Sequence, residues 1–188
     1  MKKVLSFVAI ALVLGACNSV AKYKPQIDEL SKTWDSTTSQ VTEFANSVKT
    51  EQANWANATS TMNVAPEAMT KWDDAAKAKY TEIKTAADGS SAGIAGIATE
   101  VDGFVTTWME KSNEVKALQD GLAAGKIEGD VQTKIADLTA TATAASAKLG
   151  EWKTKFDTVK AQASSAQQMF ADFMAANTAA APATAGKK

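Results

Sequence analysis

From Ile27 onward the apolar positions recur at alternating steps of three and four residues. They run Ile27, Leu30, Trp34, Thr37, Val41, Phe44, Val48, Glu51, Trp55, Ala58 and Met62, with Thr37 and Glu51 the only polar interruptions. A period of 3.5 keeps one stripe of a helix turned toward a neighbouring helix, so the stripe is a seam of a helical bundle. A second seam follows through Met69, Asp73, Ala76, Tyr80, Ile83, Ala87, Ser90, Ile94, Ile97, Val101, Phe104, Trp108, Lys111, Val115, Leu118 and Leu122 without a slip in phase. A third runs Val131, Ile135, Leu138, Ala142, Ala145, Leu149, Trp152, Phe156, Val159, Ala163, Ala166, Phe170 and Phe173.

These seams predict helices over 25–62, 66–123 and 129–177, in an all-α antiparallel bundle of three long heptad-patterned helices with a left-handed wind. Pro25 and Pro66 stand where a helix can begin, because the first turn has no use for the missing N–H. Turns are expected at 63–65 and 126–129, with Gly125 as a C-terminal cap and Asp130 as an N-cap. The Gly- and Ser-rich stretch 88–93 weakens the second helix and predicts a kink there, or a split that would give four helices. Pairing outward from each turn sets Trp55 near Asp73 and Ala76, Trp34 near Ile94 and Ile97, and Trp108 near Ala145. By that register the first helix ends near residue 105 of the second, and 107–146 extends past it as a hairpin.

Composition strengthens the helical reading. The 188 residues are 45% hydrophobic, with many alanines and only three prolines, enough apolar surface for a core and little to interrupt a helix. Charge narrows the function. The chain has no histidine and no arginine, and its 20 lysines face 21 acids for a net charge of −1. Nucleic-acid recognition leans on the guanidinium fork and on a basic patch, so no nucleic-acid partner is expected.

The first seventeen residues carry the sharpest motif. Lys2 and Lys3 precede an apolar run from Val4 to Leu14, and Leu14-Gly15-Ala16-Cys17 follows. The run is shorter than the ~20 residues of a spanning helix, which fits a secretion signal. The motif resembles the lipobox of bacterial lipoproteins, in which the cysteine thiol is lipidated before cleavage makes it the first residue. The resemblance implies a signal peptide at 1–16, lipidation at Cys17, a tether over 17–24 and a bundle over 25–177 outside the cytoplasm. Cleavage removes two lysines, taking the side-chain charge from −1 to −3. In Gram-negative lipoproteins an aspartate after the cysteine favours the inner membrane; Asn18 in that place implies the outer membrane, facing the periplasm.

After the third seam, 178–188 reads as a flexible Ala/Pro/Lys tail. Its end, Lys187-Lys188, is similar in layout to murein lipoprotein, an acylated helix whose last lysine is joined to peptidoglycan, which makes Lys188 a candidate attachment point. The murein lipoprotein family is a shorter, trimeric single helix with an aromatic-arginine-lysine ending that Ala185-Gly186-Lys187-Lys188 lacks.

Elsewhere the structural readings outweigh the chemical ones. Trp34, Trp55, Trp108 and Trp152 lie on seams and are expected in the core. Trp72, one place off the seam, and its neighbour Asp73 are the candidate partner contact. Glu51 and Lys111 are polar seam positions of the kind that fix register, with Lys79 a candidate partner for Glu51. With Cys17 acylated, neither thiol nor imidazole remains for nucleophilic catalysis or metal binding, so no enzyme activity, metal or other cofactor is expected. The expected function is a membrane-anchored, non-enzymatic docking or structural module for an envelope protein or the cell wall. The alternative is a carrier or chaperone holding a lipid or other apolar ligand between helices, for instance beside Gly93 and Gly96.

Overall fold

The computed structural model describes residues 20–178; Cys17 and its signal segment lie outside them, as do Lys188 and the tail after Thr178. The described chain is an all-α helical bundle of three long helices and one short one, without a strand. Helix α1 spans Lys24–Thr61, α2 is a single turn at Pro66–Met69, α3 spans Asp74–Ala123 and α4 spans Val131–Thr178. The seams account for the interior. Nearly every large apolar residue on them is buried, and the polar seam positions Thr37 and Ser90 are buried with them at 4% and 1% exposure.

Each hydroxyl is satisfied within its own helix, Thr37 Oγ1 donating to Thr33 O at 2.9 Å and Ser90 Oγ to Ala86 O at 3.1 Å. Burial without a lost hydrogen bond is tolerable. This is one reason α3 runs unsplit through 88–93. The other is that Ser91 receives the indole N–H of Trp55 at 2.9 Å, so the weak stretch is held from outside.

The chain divides into two compact units. The first comprises the residues up to Glu43 and Asp102–Gly150, and so holds the start of α1, the end of α3 and the start of α4. Its core joins Ile27, Leu30 and Trp34 to Trp108, Val115 and Leu118 and to Val131, Ile135, Leu138, Ala142 and Ala145. The Trp34 and Trp108 rings stack at 3.8 Å and 7°. Each indole donates to the hydroxyl four residues beyond the other: Trp34 Nε1 to Ser112 Oγ and Trp108 Nε1 to Thr38 Oγ1, both at 2.8 Å. Two large rings are thereby buried with no polar atom left over.

The α3–α4 connection closes the first unit as expected. Gly125 takes a φ of 69°, Lys126 N–H donates back to Gly121 O at 2.8 Å, and Gly129 takes a φ of 81°, which suits residues without a Cβ. Asp130 then caps α4, its Oδ1 accepting the Thr133 N–H at 3.1 Å and its Oδ2 the Thr133 hydroxyl at 2.8 Å.

The second unit comprises Phe44–Val101 and the residues from Glu151 on. Phe44 lies parallel to Trp152 and edge-on to Phe156. Trp152 Nε1 donates to Glu100 Oε2 at 2.8 Å, and Lys155 lies 3.5 Å from the same carboxylate. Tyr80 ties the first connection to α3. Its hydroxyl donates to Met62 O at 3.0 Å and accepts the Val64 N–H at 3.1 Å.

The register differs from the expected one in both units. Trp34 lies against Trp108, fourteen residues beyond Ile94, and Trp55 lies against Ala87 and Ser91, fourteen beyond Asp73 for the first of them. Residues 107–146 are therefore no free hairpin, because Ile27, Leu30 and Trp34 share their core. The cause is the connection. The chain turns not over 63–65 but through everything between Thr61 and Asp74, α2 included, so α3 starts eight residues after Pro66. Trp108 does meet α4 where expected, in one cluster with Ala145.

Candidate functional site

Two surfaces are candidates for a site, one in each unit. In the second unit it is the segment that α2 and its following bend present. Pro66 starts the one-turn helix, Glu67 lies in its first turn, and Thr70 ends it with its N–H bonded to Pro66 O. Trp72 follows, half-buried, its ring edge-on to Phe173 at 4.8 Å and to Tyr80 at 5.4 Å. Phe170 completes the group against Tyr80 at 6.4 Å.

Trp72 thus has one face in an aromatic cluster and part of its surface in solvent. Its neighbour Asp73 is exposed, and its Oδ1 accepts the Ala76 N–H at 2.7 Å. That bond is the N-cap of α3. Trp72 and Asp73 are adjacent in sequence but do different jobs here, one packing the end of the aromatic cluster and the other starting a helix.

Of the other polar positions singled out from the sequence, Glu51 and Lys111 are half-buried and Asp130 is exposed. Glu51 faces Lys160 at 3.8 Å, not Lys79, which pairs with Glu82 at 2.8 Å within α3; the two-heptad shift in register carries Lys79 away from Glu51. Lys111 bonds Glu114 at 2.7 Å, and that carboxylate's hydrogen bond and charge hold the ammonium above its usual range. Asp130 is held below the usual carboxylate range, chiefly by the Thr133 N–H and then by its hydroxyl. Among the described residues no group of three or more His, Cys, Asp or Glu side chains could hold a metal ion.

In the first unit the surface lies where the described chain begins. Val20 and Ala21 already fold as a helical turn, with Tyr23 N–H bonded to Val20 O at 3.0 Å and Ile27 N–H to Tyr23 O at 3.0 Å. Val20 is buried at 8% exposure and Tyr23 packs on the core cluster. Residues 20–24 are thus helix and turn, inside the stretch 17–24 expected as a tether. Between this turn and the end of α3 runs an open groove of about 620 Å³ with Val20, Ala21, Ile27 and Leu122 along it.

The Gly93–Gly96 stretch, a candidate ligand cavity from sequence, is packed shut on its inner side: a Cβ on Gly93 would lie 3.0 Å from Val159. A shallow groove of about 440 Å³ remains on its outer side, toward Thr154 and Thr158. Sequence reading passed over Met109, which is 63% exposed; its place directly after the seam residue Trp108 was the available signal. No helix among the described residues is long and apolar enough to cross a membrane.

Neither a family model nor a characterised protein nor a solved structure matches the chain.

Proposed function

We propose that the chain is a lipoprotein of the bacterial cell envelope, anchored through an acylated Cys17, most simply in the outer membrane facing the periplasm. Its bundle is a non-enzymatic docking or structural module for another envelope component. The observation that supports this most is the spacing at the start of the chain. The lipobox-like motif ends at Cys17 and Val20 is helical and buried, so only two residues, Asn18 and Ser19, lie between the proposed lipid and the described core. The long helices satisfy one another's apolar seams and leave polar faces outward, with Trp72 and Met109 as apolar exceptions. Such half-exposed aromatic residues are common anchors of protein contacts.

Site-specific photo-crosslinking in intact cells tests the docking role. Probes at exposed Glu67, Lys71 and Met109 should capture a discrete envelope protein or wall fragment, and Trp72→Ala should lower the yield at 67 and 71. Failure to capture a protein or wall partner from any exposed position would falsify the reading. The peptidoglycan variant has its own test in sacculi boiled in detergent: a chain ending in Lys188 remains attached and one lacking it is washed away, whereas a wild-type chain that washes away ends the idea.

A second reading, a carrier of lipid or another apolar ligand, draws its support from the open groove beside Gly96. Native mass spectrometry of a soluble form lacking residues 1–17 should then show co-purified lipid; a ligand-free spectrum removes it.

A further inference from the structure

We propose that the groove at the beginning of the first unit is the seat of an acyl chain carried by the protein's own Cys17. The inference rests on the lipoprotein reading and adds a binding site to it. The groove runs between the Val20–Ala21 turn, the first turns of α1 and the end of α3, and its apolar length is supplied by Val20, Ala21, Ile27 and Leu122. Exposed Lys24 and Lys32 also line it, Lys24 with its ammonium paired to Asp28 at 2.6 Å. At about 620 Å³ it falls within the ~300–1,000 Å³ of small-molecule sites, and its lining is of the kind that takes an apolar ligand with a polar end left outside.

Chain length names the occupant. Cys17 is three residues from Val20, a reach of at most ~10 Å for extended chain. Any lipid on the thiol is therefore delivered to the mouth of the groove, tethered by a linker short enough for an effective concentration on the order of millimolar. A free phospholipid has no such advantage. The burial of Val20 directs this geometry, because it pins the tether at the edge of the groove and so prevents Cys17 from ranging over other faces of the bundle. In a protein with several acyl chains on one residue, one chain in the groove leaves the others for the bilayer and fixes the start of the bundle against it.

The test uses the full chain expressed in a Gram-negative host fed a diazirine-bearing palmitate, then purified, irradiated and digested. Intact mass first reports whether Cys17 carries lipid; an unacylated chain overturns the lipoprotein reading and this proposal together. On acylated protein the expected product is a Cys17 peptide joined through the fatty chain to peptides containing Ile27 or Leu122. Acylated protein without such cross-linked peptides overturns the proposal and leaves the lipoprotein reading standing. Groove peptides joined to phospholipid, not to the Cys17 chain, overturn it too. A filling variant at an exposed position, Ala123→Trp, should reduce the Cys17-to-groove product at least fivefold with helicity and acylation unchanged; an undiminished yield counts against the groove as the seat.

Discussion

A buried tryptophan brings an N–H that needs an acceptor, and among the described residues each core indole has one on a neighbouring helix. Trp34 and Trp108 exchange theirs through Ser112 and Thr38, Trp55 uses Ser91, and Trp152 uses Glu100. We expect Trp34→Phe to cost about 1 kcal/mol, the net worth of a neutral hydrogen bond, and Trp34→Ala about 3–5 kcal/mol as a cavity opens. Urea denaturation measures both; equal losses would mean that the indole N–H, which both variants lack, and not the ring carries the energy. The caps are tested differently. Asp130 has its folded-state pKa lowered by Thr133, so its share of stability is present above the ordinary carboxylate range and is lost as pH falls through the lowered value. The urea midpoint of Asp130→Ala should thus fall less steeply with acid than that of the parent. Burial of the four seam tryptophans was legible in their spacing, whereas the identity of their acceptors was not. Ser112 and Thr38 lie beside the seam, and a heptad pattern carries no information on which hydroxyl an indole meets.

At the level of the helices, the seams located the elements to within a few residues except at the start of α3. Phase was legible and register was not, for one physical reason: a displacement of fourteen residues is two heptads, so every seam position still faces a seam position. What sets the register is the connection, where Tyr80 clasps Met62 O and Val64 N–H and Asp73 caps α3. We expect Tyr80→Phe to destabilise the second unit by about 1–3 kcal/mol, since Val64 N–H and Met62 O lose their partner. Hydrogen exchange at Val64 should rise with it, and unchanged protection would show that the clasp does not hold the connection. Helical glycines give a second test at this scale. A Cβ on Gly89 meets nothing within 4 Å, while one on Gly121 would lie 2.9 Å from the Lys126 carbonyl oxygen. Gly89→Ala should therefore stabilise by about 0.5–1 kcal/mol, and Gly121→Ala should lower the melting temperature by displacing the α3–α4 turn.

For the molecule as a whole, the proposed anchor makes location a consequence of one side chain. Cys17→Ser should shift the protein from the membrane to the soluble fraction of lysed cells while leaving its helical dichroism intact, because the described helices hold one another through residues from Val20 on. A Cys17→Ser chain that still sediments with membranes would mean that another surface holds it there. Little of the candidate site could be read from sequence at this scale. Trp72 was noticed because it departs from the seam, but the groove beside Val20 depends on a turn that precedes the first heptad and on the far end of α3, residues about a hundred apart.

The stacked Trp34 and Trp108 rings also give the first unit a voice of its own. Two indoles 3.8 Å apart and nearly parallel do not absorb and emit as independent chromophores; excitation is shared between them. When that unit opens they revert to two ordinary monomers, so ultraviolet dichroism and fluorescence contain a built-in reporter of one unit's integrity. The protein can be watched at its proposed membrane end without any label.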